Sequence, residues 1–433
     1  MSIWSIVGIV IVTIVFIDFV NRLGKGIPFL ELILLIAGLQ WIIGAFIEYN
    51  YPTGHYKYYM YVEEPVYMSY VVPAYSAFVL GVIGFSKSLR NLELPVTELK
   101  QFKNYGLAIF IIGFVFDLIS GILPGSLGFF AFLVGNFKFA GAIILFFSED
   151  KRLKNIFYFA LFLLLLRAIQ AAMFHNLILW TVFFYMFWAI KYRPSKKQIY
   201  LTILVGVFSL STLQTIKSAY RSKVWSGYQG SKIELFTGLF VDAVFYDSST
   251  SAKLSGDENN VRLNQGWIIS AIMNEVPQRT EFQDGATVLE AINASLLPRF
   301  LNPDKKEAGG QENFRKFTGL SIGDNTSMGI SIIGEAYGNF GVLGGIIFMG
   351  IWGWFLARYW RFLLKKISKN LLLLAFLPII FLQVVKAETE LSTVLNHLIK
   401  ASIVVFLFFW ASKQFLGWNF RYVQQREEEI KET

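Results

Sequence analysis

Residues 3–20 read Ile3-Trp-Ser-Ile-Val-Gly-Ile-Val-Ile-Val-Thr-Ile-Val-Phe-Ile-Asp-Phe-Val20, and Arg22-Leu-Gly-Lys25 follows at once. A helix satisfies its own backbone hydrogen bonds, and roughly 20 apolar residues of helix cross the hydrocarbon of a bilayer. The basic pair behind the run marks where the chain leaves the apolar phase. Comparable blocks recur at 28–47, 70–86, 105–122, 126–147, 155–172, 174–190, 199–214, 329–356, 371–385 and 397–416. The pattern predicts an all-α polytopic membrane protein with about eleven transmembrane helices. The blocks 155–172 and 174–190 share almost no connection.

Composition agrees. Apolar residues make up 55% of 433 positions, charged residues only 16%, and Phe occurs 43 times. A soluble domain carries about a quarter charged residues, so this chain is short of water-facing surface. There are no cysteines, which excludes disulfide frameworks, thiolate metal sites and cysteine nucleophiles.

Charge sets the expected orientation. Arg22 with Lys25, Lys87 to Lys103, Lys151 to Lys154, Lys191 to Lys197 and Arg358 to Lys369 alternate along the chain with neutral or acidic connections. The alternation predicts an N-terminus outside and a C-terminus inside. The organisation is then helices over 1–214, a large outer-face loop with short helices over 215–328, helices over 329–416 and a cytoplasmic tail over 417–433. The net charge of +9 is accounted for by cytoplasmic connections that meet anionic lipid. The partner expected from it is the lipid bilayer, with no nucleic acid.

Within the loop, Ile233 to Phe245 is apolar and fits a helix at or re-entering the membrane surface. Gly266 to Met273 reads as a short buried segment. Ala286 to Leu297 has helical spacing, with Val288, Leu289, Ile292 and Leu296 on one side.

Ionisable residues inside spans are costly and tend to be functional. They are Asp18, Glu31, Asp117, Lys138, Arg167, Glu335 and Lys400. Asp117, Arg167 and Glu335 fall toward the outer leaflet, below the long loop; Asp117 with Arg167 or Lys138 fits a structural ion pair equally well. Ser331, Glu335 and Asn339 form one polar stripe at helical spacing. Gly334 with Gly338 and Gly341 with Gly345 are small-residue pairs of the kind that let another backbone approach closely. A carboxylate so placed, facing a cavity, suits a general base or acid. Arg221, Arg262, Arg279, Arg299 and Arg315 lie in the loop, where a planar guanidinium fork suits a diphosphate or anionic sugar; each alone fits a solvated surface residue as well. His55, His175 and His397 have no metal-ligand spacing, and no phosphate-binding glycine loop or nucleophile elbow is present. His397 follows Lys386-Ala-Glu-Thr-Glu390, a short outer hairpin that reads as a solvated turn or as one wall of a site.

Two stretches resemble a known family. Leu297-Pro-Arg-Phe-Leu-Asn-Pro-Asp-Lys305 and Thr326-Ser-Met-Gly-Ile-Ser-Ile-Ile-Gly-Glu-Ala-Tyr-Gly-Asn-Phe-Gly341 resemble the Wzy-like oligosaccharide repeat-unit polymerases, also called O-antigen or exopolysaccharide polymerases. Asn302 stands where an aromatic is more usual in that pattern. The resemblance implies a multi-pass glycosyltransferase of the bacterial inner membrane that needs neither nucleotide-sugar nor metal. Its substrate would be an undecaprenyl-diphosphate-linked oligosaccharide, its partner a chain-length regulator. It also implies roles. Glu335 would be the base or orient it, Arg299 and Arg221 would meet the diphosphate, and Arg279 and Arg315 would stand in reserve. Tyr337, Asn339, Arg167, Asp117 and His397 would shape the substrate cavity. The rival readings are an O-antigen ligase, which such families usually equip with a histidine in the large loop (none occurs in 215–328), and a transporter or flippase of lipid-linked saccharide.

Overall fold

The computed structural model describes residues 1–54, 58–90, 94–123, 125–245, 263–296, 311–323 and 326–420. Its elements are helical throughout; among the described residues the strand-like pairing is limited to one isolated bridge between Leu23 and Gly26. Nine helices among the described residues are long and apolar enough to cross a membrane: Ile3–Arg22, Phe29–Asn50, Glu64–Ser86, Val96–Ile119, Leu127–Phe146, Lys151–Ala171, Lys196–Trp225, Ile332–Ile367 and Leu391–Phe415. Each coincides with one of the expected blocks. The block at 174–190 forms the 18-residue helix His175–Tyr192, opened by a sharp turn in which Ala172 takes a left-handed φ of 52°. The block at 371–385 contains only the nine-residue helix Leu373–Phe381. At 1.5 Å per residue it measures about 14 Å, well under the hydrocarbon thickness of about 30 Å. It is buried along its length.

The outward faces identify the surrounding medium. Ile3–Arg22 buries Val12, Val15 and Phe19 and exposes Val10, Ile14 and Ile17; Lys196–Trp225 exposes Leu201, Leu204, Val207 and Phe208. A helix in water turns polar residues outward. These helices turn branched aliphatics and phenylalanine outward, and the protein is a helical, multi-pass membrane protein. Local signals fix several boundaries. Ser195 Oγ accepts the Gln198 N–H while Gln198 Oε1 accepts the Ser195 N–H at 2.8 Å, a capping box that starts Lys196–Trp225.

The chain divides into two compact units. The first comprises Met1–Leu92, Phe162–Tyr359 and Phe381–Lys400; the second comprises Glu93–Leu161, Trp360–Ile380 and Ala401–Thr433. In the first unit, Phe29–Asn50 carries a π-helical turn at Leu39–Ile43. That turn breaks the regular ladder. The Gln40 carbonyl accepts the Gln265 N–H at 3.1 Å, and the Trp41 carbonyl accepts the Tyr67 hydroxyl at 2.7 Å. Helices Glu64–Arg90 and Ile332–Ile367 cross at Gly81 and Gly353, where a methyl on either would strike the other backbone at Gly350 O or Phe78 O. In the second unit the same device brings Gly113 against the Lys138 backbone and Gly141 against that of Phe110.

The glycine pairs expected to admit a neighbouring backbone do something else. Gly334 faces the Ile272 side chain, Gly338 the Phe317 ring, Gly341 the Phe282 ring and Gly345 the Tyr70 ring. They make room for aromatic and aliphatic side chains, and the close helix crossing lies further along, at Gly350 and Gly353. In the loop, Lys232–Phe245 and Ala286–Leu296 are helices, as expected, and the short buried segment forms the helix Gly266–Glu275.

Candidate functional site

The Ile332–Ile367 helix breaks at Gly341, whose φ of 66° and ψ of −161° are non-helical. The break interrupts the i to i+4 ladder, and the carbonyls of Gly338 and Asn339 accept N–H groups from outside it, Gln283 and Asp284, each at 3.1 Å. The chain over 283–285 therefore lies on the helix, bending through Asp284 (φ 48°) and Gly285 (φ 88°). That contact delivers Thr287, in the following helix, to the carboxylate of Glu335.

Glu335 is 1% exposed. Its Oε1 accepts the Thr287 hydroxyl at 2.8 Å and its Oε2 accepts the Leu391 backbone N–H at 2.9 Å. Asn339 donates to the Thr287 hydroxyl and to the Glu335 carbonyl, both at 2.8 Å, and its Oδ1 accepts the Gly285 N–H at 3.1 Å. The 285–287 chain and the start of Leu391–Phe415 thus meet on two side chains one helical turn apart. Each carboxylate oxygen is already engaged, so Glu335 is built into the protein rather than facing a cavity. Tyr337 points to the other side, its hydroxyl toward the Val276 carbonyl at 3.4 Å and its ring between Tyr70 and Phe282.

A second polar group lies three residues before Leu391. Glu388 Oε2 accepts Gln40 Nε2 at 3.0 Å, and its Oε1 stands 3.8 Å from His175 Nδ1. The Glu388 carbonyl accepts the Ser331 N–H at 3.3 Å, and the Ser331 carbonyl in turn accepts the Glu335 N–H at 2.9 Å. Ser331 is fully buried at a positive φ of 60°, and its Oγ, like Gln40 Oε1, has no hydrogen-bond partner among the described residues. Buried polar atoms without partners are rare. The His175 and Glu388 side chains are about half and one-third exposed. Lys386 and Lys217 lie within electrostatic range of His175. Burial holds the Lys386 ammonium below its ordinary proton affinity, and the Glu388 carboxylate restores part of it. Glu390 is buried and accepts the Ser392 hydroxyl at 2.9 Å. The 386–390 hairpin thus carries partly buried polar side chains that contact Gln40, His175 and Ser392.

The remaining expected residues are dispersed. Arg221 Nε donates to the Ala172 carbonyl at 2.8 Å, three residues before His175, with its guanidinium 5.0 Å from the Trp225 ring. Arg279 pairs with Glu275 at 3.0 Å, and Arg315 donates to the Ile322 carbonyl at 3.0 Å. Arg167 is exposed on Lys151–Ala171, and His397 is buried in Leu391–Phe415. Asp117 belongs to the second unit and pairs with Lys138 at 2.7 Å, which selects one of its two expected partners. Arg299, Arg262, His55 and the stretch 297–305 lie outside the described residues. Among the described residues no cluster of carboxylates and histidines could hold a metal ion.

The chain belongs to the family described as a domain of unknown function, DUF8712, which matches residues 46–360. That span includes His175, Arg221 and Glu335, while Lys386, Glu388 and Leu391 follow it. No curated protein and no solved structure matches the chain.

Proposed function

We propose that this member of the family is a glycosyltransferase of the bacterial inner membrane that joins undecaprenyl-diphosphate-linked oligosaccharide repeat units at the outer face. One observation carries the reading. The turn from Glu388 to Leu391 joins the buried Glu335 network, inside the polymerase-resembling stretch, to a partly exposed His175–Glu388 pair flanked by cations. The resemblance of residues 326–341 supplies the substrate class.

The reaction breaks the bond from the donor sugar's anomeric carbon to the carrier diphosphate and forms one from that carbon to an acceptor hydroxyl. The hydroxyl proton needs a base, and the leaving diphosphate needs positive charge. His175 takes the proton and Glu388 orients its ring and stabilises the imidazolium. Lys386, Lys217 and Arg221 meet the developing diphosphate charge. Glu335 is a positioning residue: it fixes the hairpin from which Glu388 and Lys386 project.

The test is the size distribution of surface glycan in a strain lacking this chain. The proposal expects the ladder to vanish while a single-repeat band survives. Accumulation of carrier-linked polymer would make the chain a ligase, and an unchanged ladder would remove the polymerase reading.

A further inference from the structure

The helix Ala286–Leu296 is inside out. Its protein-facing side carries Thr287, Ala291 and Ser295, between 1% and 4% exposed; its open side carries Leu289, Ile292 and Leu296, between 40% and 62% exposed. At about 100° per residue the three large residues share an arc of about 60°. Asn293 and Glu290 follow on one flank of that arc. A helix in an aqueous loop buries its leucines and shows water its serine and threonine. Here the small polar side chains satisfy themselves inward, Thr287 on Glu335 at 2.8 Å and Ser295 on the Ala291 carbonyl at 2.6 Å.

The helix is anchored where the lipid-facing surface of Ile332–Ile367 begins. Gly285, at its start, lies against the Phe340 ring. Directly beyond the Gly341 break that longer helix exposes Val342, Leu343, Ile347 and Ile351. The apolar stripe of the short helix thus adjoins a face already turned to hydrocarbon.

We infer that Ala286–Leu296 lies in the outer interface of the bilayer, its Leu289–Ile292–Leu296 stripe in contact with lipid acyl chains and its Asn293–Glu290 flank among the headgroups. Eleven residues of helix measure about 16 Å, half of a crossing, so it enters the membrane without spanning it. The side opposite the lipid holds Thr287 on Glu335, which ties a membrane-facing element to the buried carboxylate network.

The chain lacks cysteine, so single nitroxide labels need no background substitutions. Labels go at Leu289→Cys and Leu296→Cys, with Leu343→Cys as lipid-facing control and Glu281→Cys as exposed loop control. The full chain is placed in phosphatidylethanolamine–phosphatidylglycerol liposomes, and collision with oxygen is compared with collision with a water-soluble nickel chelate. The inference expects oxygen preference at 289 and 296, several-fold above that at 281 and close to that at 343. Nickel preference at 289 and 296 would place the helix in water, and inaccessibility to both reagents would place a protein surface over the stripe. Either result overturns the inference, and neither depends on the enzymatic activity.

Discussion

Glu335 Oε2 accepts the Leu391 N–H at 2.9 Å, so a carboxylate from one helix caps the first turn of another. The first N–H groups of a helix have no partner within it, and a negative charge there is favoured by the helix dipole. The same side chain holds Thr287 through its other oxygen. Glu335→Gln keeps the shape but presents a donor to one of two donors. The expected cost is roughly 1.5–3 kcal/mol, the worth of a hydrogen bond to a charged group. Thermal unfolding of the purified variant checks the cost. Loss of polymer with normal membrane insertion checks the positioning role, and full-length polymer from this variant would sink it.

His175 and Glu388 carry the chemical claim. Removing a general base costs roughly 10²–10⁴-fold in rate. His175→Ala should lower the initial rate of chain lengthening by that order, and Glu388→Gln by less, since the imidazole survives but loses its orienting charge. Neither variant should change the melting temperature much, because both side chains are partly exposed.

Lys386 has a proton affinity held below its ordinary 10.5 by burial, with Glu388 opposing the shift. The groups facing it are Glu388 and His175. Between the depressed folded value and 10.5 the unfolded chain holds the extra proton, so stability rises with pH through that window. Melting temperature followed from neutral to alkaline pH should show this rise, and Lys386→Met should flatten it.

Asp117 and Lys138 form a nearly buried pair at 2.7 Å, with side chains 12% and 4% exposed. Asp117→Asn strands an ammonium in the protein interior, at about 3–5 kcal/mol. The double variant Asp117→Asn, Lys138→Met should recover most of that loss. Unfolding measurements on the two single variants and the double variant decide it.

Gly81 faces the Gly350 carbonyl so closely that an alanine there forces the helices apart. Overpacking of this kind costs about 1–3 kcal/mol. Gly81→Ala should lower the melting temperature, whereas Gly206→Ala, where the added methyl meets nothing within 4 Å, should leave it unchanged or raise it.

The membrane helices were legible because hydrocarbon imposes a single demand, a long run of apolar residues, and nine helices among the described residues meet it. The Leu373–Phe381 segment looked the same in sequence because a helix buried on every side is also apolar all round. Glu335 and Asn339 stood out by helical spacing within one stretch. Thr287 did not, since its place depends on a loop that bends at Asp284 and Gly285 to cross a broken helix. The His175–Glu388 pair was illegible for a related reason: 213 positions separate the two residues (388 less 175), and no local pattern records that distant segments meet. The inverted burial of Ala286–Leu296 was hidden too, because apolar spacing reveals which residues share a face and leaves open what that face meets.

The decisive measurement is reconstitution of the purified full-length chain in liposomes with undecaprenyl-diphosphate-linked repeat units, with products resolved by size. The expected result is glycan of two and more repeats, with one undecaprenyl diphosphate released for each linkage formed, and its loss in the His175→Ala chain. Repeat units that stay single and carrier-bound in the presence of folded protein would contradict a polymerase.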